Sequence, residues 1–416
     1  MSFVVKRNES LGSSVQVQLP ASKSISNRAL IINALSRSDK TIRNLAKCDD
    51  TDVLLKALSS KESSFDIGAA GTAMRFLTAY LSMHEGVWSI TGSERMKQRP
   101  IQVLVEVLRE LGANVEYIEK EGYPPLRVEG TLMQGGEIEI EGNVSSQYIS
   151  ALLMIAPMMQ EGLTLRLRGE IISKPYIEMT LRMMKDFGVS SEWLSDAVIR
   201  VPHKAYLPVE YVVENDWSAA SYWYEIVALS APGLICFLPH LYQESLQGDS
   251  KVKEIYKSLG VQTTFVEENG QKGIKIQKSD VAPSHYEYDF SGQPDLAQTV
   301  VVTCCCLGTT FHFTGLQTLK IKETDRIAAL INECEKLGFI LEEEEEGSLT
   351  WKGKRTEKAK LPKIATYNDH RMAMAFAPAC LVLDALEIEH PEVVSKSYPD
   401  YWKAVEEVVS SVKSSD

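Results

Sequence analysis

Positive charge is scarce in this chain. Its 44 Lys and Arg stand against 56 Asp and Glu, a formal net charge of −12. Such a chain lacks the basic surface that nucleic acid or an anionic membrane would require. It also lacks any run of eighteen or more apolar residues, so no segment reads as membrane-spanning. Met1 to Arg7 contain no basic stretch leading into an apolar one, and no secretory signal is expected. Neither a Cys-x-x-Cys pair nor a His-x-x-x-His spacing occurs, so nothing suggests a metal site. Cysteines number seven, an odd count, and Cys304-Cys305-Cys306 sit inside an apolar run. They read as reduced core thiols of a cytoplasmic protein, not as a disulfide framework.

What is present is an ordinary globular composition, 44% hydrophobic and 24% charged, in 416 residues. That length exceeds what one core usually supports, so two domains are expected. Helix-like stretches ending at Gly112, Gly188, Gly260 and Gly338 place each glycine where a left-handed C′ residue is needed. A pair of strand-like runs follows each: 115–118 with 126–128, 190–194 with 198–201, 262–266 with 273–276, and 340–343 with 348–351. The period, roughly 75 residues, is too long for a solenoid and suits a small α/β unit used several times.

Two further units are incomplete. The chain opens with strand-like runs at 3–6 and 15–19 and closes with a helix expected over Tyr401 to Val412, with no strands after it. Joining end to start completes a unit, so both termini should lie in one domain. The helix predicted at Val53 to Leu58 is followed almost at once by another strand, which leaves no room for a hairpin. The expected organisation is α/β, two domains of three βαβαββ units each, with one unit of the 21–213 domain missing its hairpin. The second domain would comprise 1–20 and 214–416. The acidic run Glu342 to Glu346 reads as a solvated turn, and the Met-rich stretch 154–159 as core.

The chemistry-bearing residues cluster where strands run into helices. Lys322, Glu323 and Arg326, in Lys320 to Arg326, would put two cations on one helical face beside a carboxylate, with Thr324 or Asp325 as N-cap. The bland reading is a solvated, salt-bridged face; the functional one is an anion site that also moves a proton. The same design recurs. Pro20 to Arg28 offers Ser22 or Ser24 with Lys23 and Arg28 at a helix start. Gly68 to Arg75 is a small-residue loop in which Gly71 permits close approach and Arg75 follows one turn on. Arg95, Lys97 and Arg99 precede another helix, and spacing does not say which of them faces a ligand. Ser145-Ser146-Gln147 and Ser173-Lys174-Pro175-Tyr176 open two more helices with groups that suit a phosphate or a polyol, or simply cap. Asp295 follows Gly292-Gln293-Pro294, Asn368 to Arg371 adds His370 and Arg371 before a helix expected over Met372 to Leu381, and Lys396 precedes the last helix. If the helix starts of both domains face one cleft, Lys23, Arg28, Arg75, Arg99, Lys322, Arg326, Arg371 and Lys396 would converge there. Small, multiply anionic ligands would fit, and closure would expel water.

With these motifs in order from about Val17 to Trp402, the chain resembles the 5-enolpyruvylshikimate-3-phosphate synthase family. The resemblance rests on Ser22 to Arg28, Gly71 to Arg75, Arg95 to Pro100, Ser145 to Gln147, Ser173 to Tyr176, Lys322 to Arg326, Tyr367 to Ala373 and Lys396 to Tyr401. It implies transfer of the enolpyruvyl group of phosphoenolpyruvate to shikimate 3-phosphate by addition and elimination, in a monomer with no metal or organic cofactor. It further implies that Lys23, Ser24, Arg28, Ser145, Ser146, Gln147, Ser173, Tyr176, Asp295 and Lys322 bind shikimate 3-phosphate. Lys23, Gly71, Arg99, Gln147, Arg326, Arg371 and Lys396 would bind phosphoenolpyruvate. Asp295 matches the residue that deprotonates the attacking 5-hydroxyl and Glu323 the one that protonates the methylene, with Lys23 a second acid candidate. Ala69 stands where the family usually has Asn, Phe76 where it often has Pro, and Thr318 where an Asn commonly contacts shikimate 3-phosphate. The first two sit beside the phosphoenolpyruvate site, where glyphosate competes.

Two alternatives compete. The sister transferase acting on UDP-N-acetylglucosamine often carries a reactive loop cysteine, yet no cysteine lies between Cys48 and Cys236. A non-catalytic anion-binding relative would have no use for Asp295, Glu323 and Lys23 together.

Overall fold

A computed structural model describes residues 2–8, 13–408 and 410–414. The chain divides into two compact units, Ser22–Val213 and Met1–Ala21 with Glu214–Asp416.

In the Ser22–Val213 unit, strand Ser64–Asp66, helix Gly71–Leu81, strand Val87–Thr91, helix Gln102–Glu110 and strands Asn114–Tyr117 and Leu126–Glu129 follow in turn. The first two strands pair in parallel and the remainder antiparallel, a βαβαββ unit with one four-stranded sheet. Gly136–Glu141, Ser146–Ile155, Leu163–Arg168, Lys174–Asp186, Glu192–Ser195 and Val198–Val201 repeat it. The remaining set is shorter. Helices Lys23–Leu35 and Asp49–Ser59 flank Ile42–Arg43, whose partner is the parallel strand Tyr211–Val212. Strand Ser64–Asp66 follows directly, so this set carries no hairpin.

The other unit builds one sheet from Ser14–Gln16, Ile235–Pro239, Gln271–Lys278 and Val261–Glu268, a second from His285–Asp289, Thr310–Thr314 and Leu349–Trp351, and a third from Lys363–Ile364, Ala385–Glu389, Ser2–Arg7 and Ser410–Ser414. Helices Trp217–Leu229, Ala297–Leu307 and His370–Phe376 are almost wholly buried. Trp217, Trp223, Tyr222 and Tyr401 belong to the same core, and each large side chain removed from water contributes about 1.5–3 kcal/mol.

Gly112, Gly188, Gly260 and Gly338 take φ values of 98°, 86°, 87° and 92°, the left-handed turn that ends a helix without a Cβ clash.

Four expectations from sequence require correction. The last helix stops at Val408, and strand Ser410–Ser414 pairs antiparallel with Ser2–Arg7, which gives its backbone groups partners on the edge of that sheet. Of the stretch expected to be helical, Val409 lies outside the described residues. The run expected as a strand at 340–343 makes only isolated bridges, Phe339 to Arg355 and Glu342 to Thr350. There Glu343 turns aside to Lys320 at 2.8 Å and to the Gly347 amide at 2.9 Å. The helix expected from Met372 to Leu381 breaks after Phe376, because Pro378 cannot continue it. Finally, Lys322 and Glu323 lie in a bend between the 3₁₀ turn Gln317–Ile321 and helix Arg326–Lys336, not on the helix itself. Asp325 is the N-cap, accepting from Ile327 N and Ala328 N at 3.1 Å each, and so fixes the helix start at Arg326.

Glu225 is fully buried in helix Trp217–Leu229, and neither carboxyl oxygen has a hydrogen-bond partner among the described residues. The nearby Thr303 hydroxyl is committed to Thr299 O at 2.8 Å and Tyr256 Oη at 2.7 Å. Burial pushes the Glu225 carboxyl well above the ordinary range. A raised folded value means that its contribution to stability is full below the unfolded value and declines as pH rises above it. Glu225→Gln should therefore gain stability over the parent as pH increases from 6 to 8, by at most about 1.4 kcal/mol per pH unit. Urea denaturation of both proteins across that range checks it; a difference independent of pH would refute it.

Candidate functional site

In the unit formed by the two ends of the chain, the candidate residues gather around one guanidinium. Arg326, the first residue of its helix, has a side chain only 2% exposed. Its Nε donates to Asp369 Oδ2 at 2.7 Å and its Nη2 to Asp369 Oδ1 at 3.2 Å, a bidentate pair. Nη2 also reaches Glu323 Oε2 at 3.0 Å, and Nη1 reaches Asp295 Oδ1 at 3.1 Å. Burial would lower this guanidinium, but Asp369, Glu323 and Asp295 outweigh it and raise the group above its ordinary value.

Asp295 lies in the 3₁₀ turn Pro294–Leu296 that leads into helix Ala297–Leu307. Arg371 Nη2 donates to its Oδ2 at 2.9 Å, and Arg371 Nη1 to its backbone oxygen at 3.2 Å. Lys322 Nζ stands 3.8 Å from Oδ1. Burial would raise this carboxyl, yet Arg371, Lys322 and Arg326 together hold it well below the usual carboxylate range. Lys396 Nζ donates to Glu323 Oε1 at 2.7 Å. Lys322, Glu323, Arg326, Arg371, Lys396 and Asp295 thus form one network.

Two carboxylates in this region escaped the sequence reading. Asp369 is fully buried, caps helix His370–Phe376 by accepting from Arg371 N at 2.9 Å, and grips Arg326. Its signal was its place just before His370 and Arg371, in the N-cap position of the motif already noted. Asp249 accepts a hydrogen bond from Ser218, and burial followed by repulsion from Asp295 pushes it up to about 7. His370, by contrast, is buried with its Nδ1 3.6 Å from Asp369 Oδ1, and it reads as part of the core. Thr318 has a buried hydroxyl without a hydrogen-bond partner among the described residues.

In the Ser22–Val213 unit the candidates separate into two groups. Ser22 caps helix Lys23–Leu35, and Lys23 Nζ pairs with buried Asp50 Oδ2 at 3.1 Å. Asp50, at the start of helix Asp49–Ser59, also escaped notice. Arg28 is 3% exposed and turns inward. It donates to Thr180 Oγ1 at 2.7 Å, Ser150 Oγ at 3.0 Å and Ser24 O at 3.0 Å, with Tyr176 O at 3.5 Å, tying three helices together. Burial lowers it to about 10, and the Phe76 ring lies 5.5 Å beneath its guanidinium. Ser145 caps helix Ser146–Ile155 by accepting from Gln147 N at 3.4 Å, which leaves its hydroxyl proton to donate elsewhere. Ser173 precedes helix Lys174–Asp186 in the left-handed region, φ 55°, a conformation that costs a non-glycine residue about 1–3 kcal/mol.

The second group contains Gly71, Arg99 and Gln147. Arg99 is the one of the three neighbouring cations that is buried, at 8% exposure, whereas Lys97 pairs with Glu119 at 3.0 Å. The Arg99 guanidinium packs so closely on Gly71 that a Cβ there would stand 2.7 Å from Nη1. Gln147 Nε2 donates to Thr72 Oγ1 at 3.2 Å. Arg75, expected to add a cation at the helix start, instead faces Gly71 O, Met96 and Pro100 O. Among the described residues no set of three or more His, Cys, Asp or Glu side chains is arranged to hold a metal ion, and no helix is long and apolar enough to cross a membrane. The seven cysteines, all within the described residues, are free thiols, six of them buried.

The buried Arg326–Asp369 pair makes a stability prediction. Asp369→Ala removes a helix cap and half of a bidentate ion pair, and should destabilise the protein by about 3–5 kcal/mol. Asp369→Asn keeps the cap and should lose less; chemical denaturation distinguishes the two. Equal stability of the alanine variant and the parent would show that Glu323 and Asp295 alone satisfy Arg326.

Known proteins resemble this chain over nearly its whole length. The family model for EPSP synthase (3-phosphoshikimate 1-carboxyvinyltransferase) matches residues 9–62 and 58–405. A 3-phosphoshikimate 1-carboxyvinyltransferase of Bacteroides fragilis strain YCH46 is 55% identical over 397 residues, covering 95% of this chain and 96% of its own. One from Vibrio cholerae serotype O1 strain M66-2 is 35% identical over 417 residues, covering 93% and 95%. The solved EPSP synthase of Acinetobacter baumannii superposes with a TM-score of 0.79 at 19% identity, over the full length of both chains, a likeness of fold. The chain belongs to the EPSP synthase family, the 3-phosphoshikimate 1-carboxyvinyltransferases.

Proposed function

We infer that the chain transfers the enolpyruvyl group of phosphoenolpyruvate to the 5-hydroxyl of shikimate 3-phosphate, a step in aromatic amino acid biosynthesis. The observation that carries the reading is Asp295, a half-buried carboxylate bracketed by Lys322, Arg326 and Arg371 within one unit of a chain that belongs to this family. In the addition step the 5-oxygen bonds to C2 of the enolpyruvate, its proton passes to a base, and a proton is delivered to the C3 methylene. In the elimination step C3 gives up a proton, the bond from C2 to the phosphate oxygen breaks, and phosphate leaves.

Asp295 serves as the base and Glu323 as the acid, with Lys23 as the second acid candidate. At rest Asp295 is a weak base, since three cations stabilise its ionised form. A substrate carboxylate or phosphate bound to Arg326, Arg371 or Lys396 draws on the same positive charge. Asp295 then becomes more basic when both substrates are present, which links proton removal to occupancy. Glu323 accepts from Lys396 and Arg326, so a proton can reach it from the Lys396 ammonium.

In the Ser22–Val213 unit, Lys23, Ser24, Arg28, Ser145, Ser146, Gln147, Ser173 and Tyr176, together with Asp295 and Lys322 of the other unit, take the shikimate 3-phosphate side. Gly71, Arg99 and Gln147, with Lys23, Arg326, Arg371 and Lys396, take phosphoenolpyruvate. The inward bonds of Arg28 give it a positioning share in this scheme, because it holds Ser24, Ser150 and Tyr176 in place. We also infer two domains, 21–213 and 1–20 with 214–416, and a cytoplasmic monomer; gel filtration at the mass of one chain checks the last.

Phosphate release from phosphoenolpyruvate should depend on shikimate 3-phosphate and should not occur with UDP-N-acetylglucosamine. Release with the latter alone would point to the sister transferase, and tight binding without release to a non-catalytic relative. Asp295→Ala should abolish turnover while shikimate 3-phosphate binding remains measurable by calorimetry. Parent-level turnover in that variant would overturn the acid and base assignment.

A further inference from the structure

Three segments of the Ser22–Val213 unit meet at one backbone oxygen. Pro100 O accepts from Arg75 Nη2 at 3.0 Å and from Tyr148 Oη at 2.5 Å. Arg75 lies one turn into helix Gly71–Leu81, and its Nη1 also donates to Gly71 O at 3.2 Å. Tyr148 is in the first turn of helix Ser146–Ile155, with the Arg75 guanidinium 5.9 Å from its ring centre. Arg75 is 3% exposed and Tyr148 6%. Hydrogen bonds sheltered from water in this way are strong, and leaving any of these groups unsatisfied is costly.

Each tied segment carries a residue assigned above to phosphoenolpyruvate, at or beside the point of attachment. Gly71 supplies one of the carbonyls that Arg75 holds. Arg99 immediately precedes Pro100, and Gln147 immediately precedes Tyr148. The fit has little slack, because Gly71 and the Arg99 guanidinium are already at a distance that excludes a Cβ.

We propose that Arg75 and Tyr148 are positioning residues for the enolpyruvyl donor. By sharing the Pro100 carbonyl they fix the spacing of Gly71, Arg99 and Gln147, and neither has to touch a ligand. The proposal rests on the assignment of those three residues to phosphoenolpyruvate. A change of about 1 Å in such a contact can cost as much as 100-fold in rate, so a lost tie should register in donor kinetics.

The test is steady-state kinetics of the full chain with each substrate varied in turn, for Tyr148→Phe, Arg75→Met, Arg75→Lys and Arg99→Lys. Tyr148→Phe removes one oxygen and should raise KM for phosphoenolpyruvate about 5-fold, in keeping with one buried hydrogen bond, with KM for shikimate 3-phosphate within about 2-fold of the parent. Arg75→Met should have the larger effect, and Arg75→Lys should recover part of it, since an ammonium can still reach one of the two carbonyls. Should Arg75→Met fail to fold, Tyr148→Phe carries the test alone. An unchanged KM for phosphoenolpyruvate in Tyr148→Phe, or an equal rise in both KM values, overturns the proposal provided that Arg99→Lys raises KM for phosphoenolpyruvate. An Arg99→Lys variant with unaltered donor kinetics instead overturns the underlying assignment, and the proposal with it.

Discussion

A single buried guanidinium organises the unit that holds Asp295. Arg326 cannot shed its charge, so its burial demands carboxylates, and three supply oxygens to it. Those same carboxylates recruit Lys322, Arg371 and Lys396. Counting the side chains in these direct ion pairs, four cations face three carboxylates, Asp295, Glu323 and Asp369, an excess of one positive charge. Asp249 can offset that excess only in its ionised form, which burial and repulsion from Asp295 disfavour. A chain with net charge −12 therefore maintains one region that favours anions. Its field is local, built by burial and pairing, and is unrelated to the overall balance.

The Ser22–Val213 unit meets the same requirement by another route. Arg28 and Arg75 are equally buried, but much of their satisfaction comes from hydroxyl and carbonyl oxygens. Neutral acceptors stabilise a guanidinium less than carboxylates do, which is why burial prevails at Arg28 and lowers it. Lys23 has a partner of opposite charge at 3.1 Å, Asp50, whereas Arg28 donates to hydroxyl and carbonyl oxygens of three helices and Arg75 to Gly71 O, Met96 Sδ and Pro100 O.

Sequence periodicity reached far into the fold because two signals coincide in it. Glycines at 112, 188, 260 and 338 mark helix ends, where only a residue without Cβ turns cheaply, and alternating strands follow. The signal fails where charge or capping overrides local pattern. Glu343 leaves its expected strand for Lys320, and Asp325 cuts the helix short of Lys322. At the candidate site, sequence pointed to the cations because each stands in a helix-start motif. It did not reveal which of them face inward, because Arg28, Arg75 and Arg99 look alike in sequence and differ only in what packs on them. Asp369 and Asp50 escaped for a related reason: a carboxylate at an N-cap or in a first turn has an adequate local explanation, and its longer reach to Arg326 or Lys23 is a tertiary fact.

The shortened set in the Ser22–Val213 unit keeps the part of the repeat that carries candidate residues. Helix Asp49–Ser59 is retained although no hairpin follows it. Its first turn supplies Asp50 to Lys23, and Thr51 donates to Asn27 Oδ1 at 3.0 Å. Its last turn supplies nothing to any candidate residue. The same polarity holds elsewhere, with Lys23, Gly71, Ser145, Ser173, Asp295, Arg326 and Arg371 all at or next to helix starts, while the hairpins follow the helix ends. Helix N-termini present unbonded N–H groups and a positive dipole end, both suited to anionic substrates; C-termini present neither. A hairpin can therefore be lost from the far end of a unit without removing a candidate site residue, provided that the helix start remains anchored, as the Lys23–Asp50 pair anchors it here.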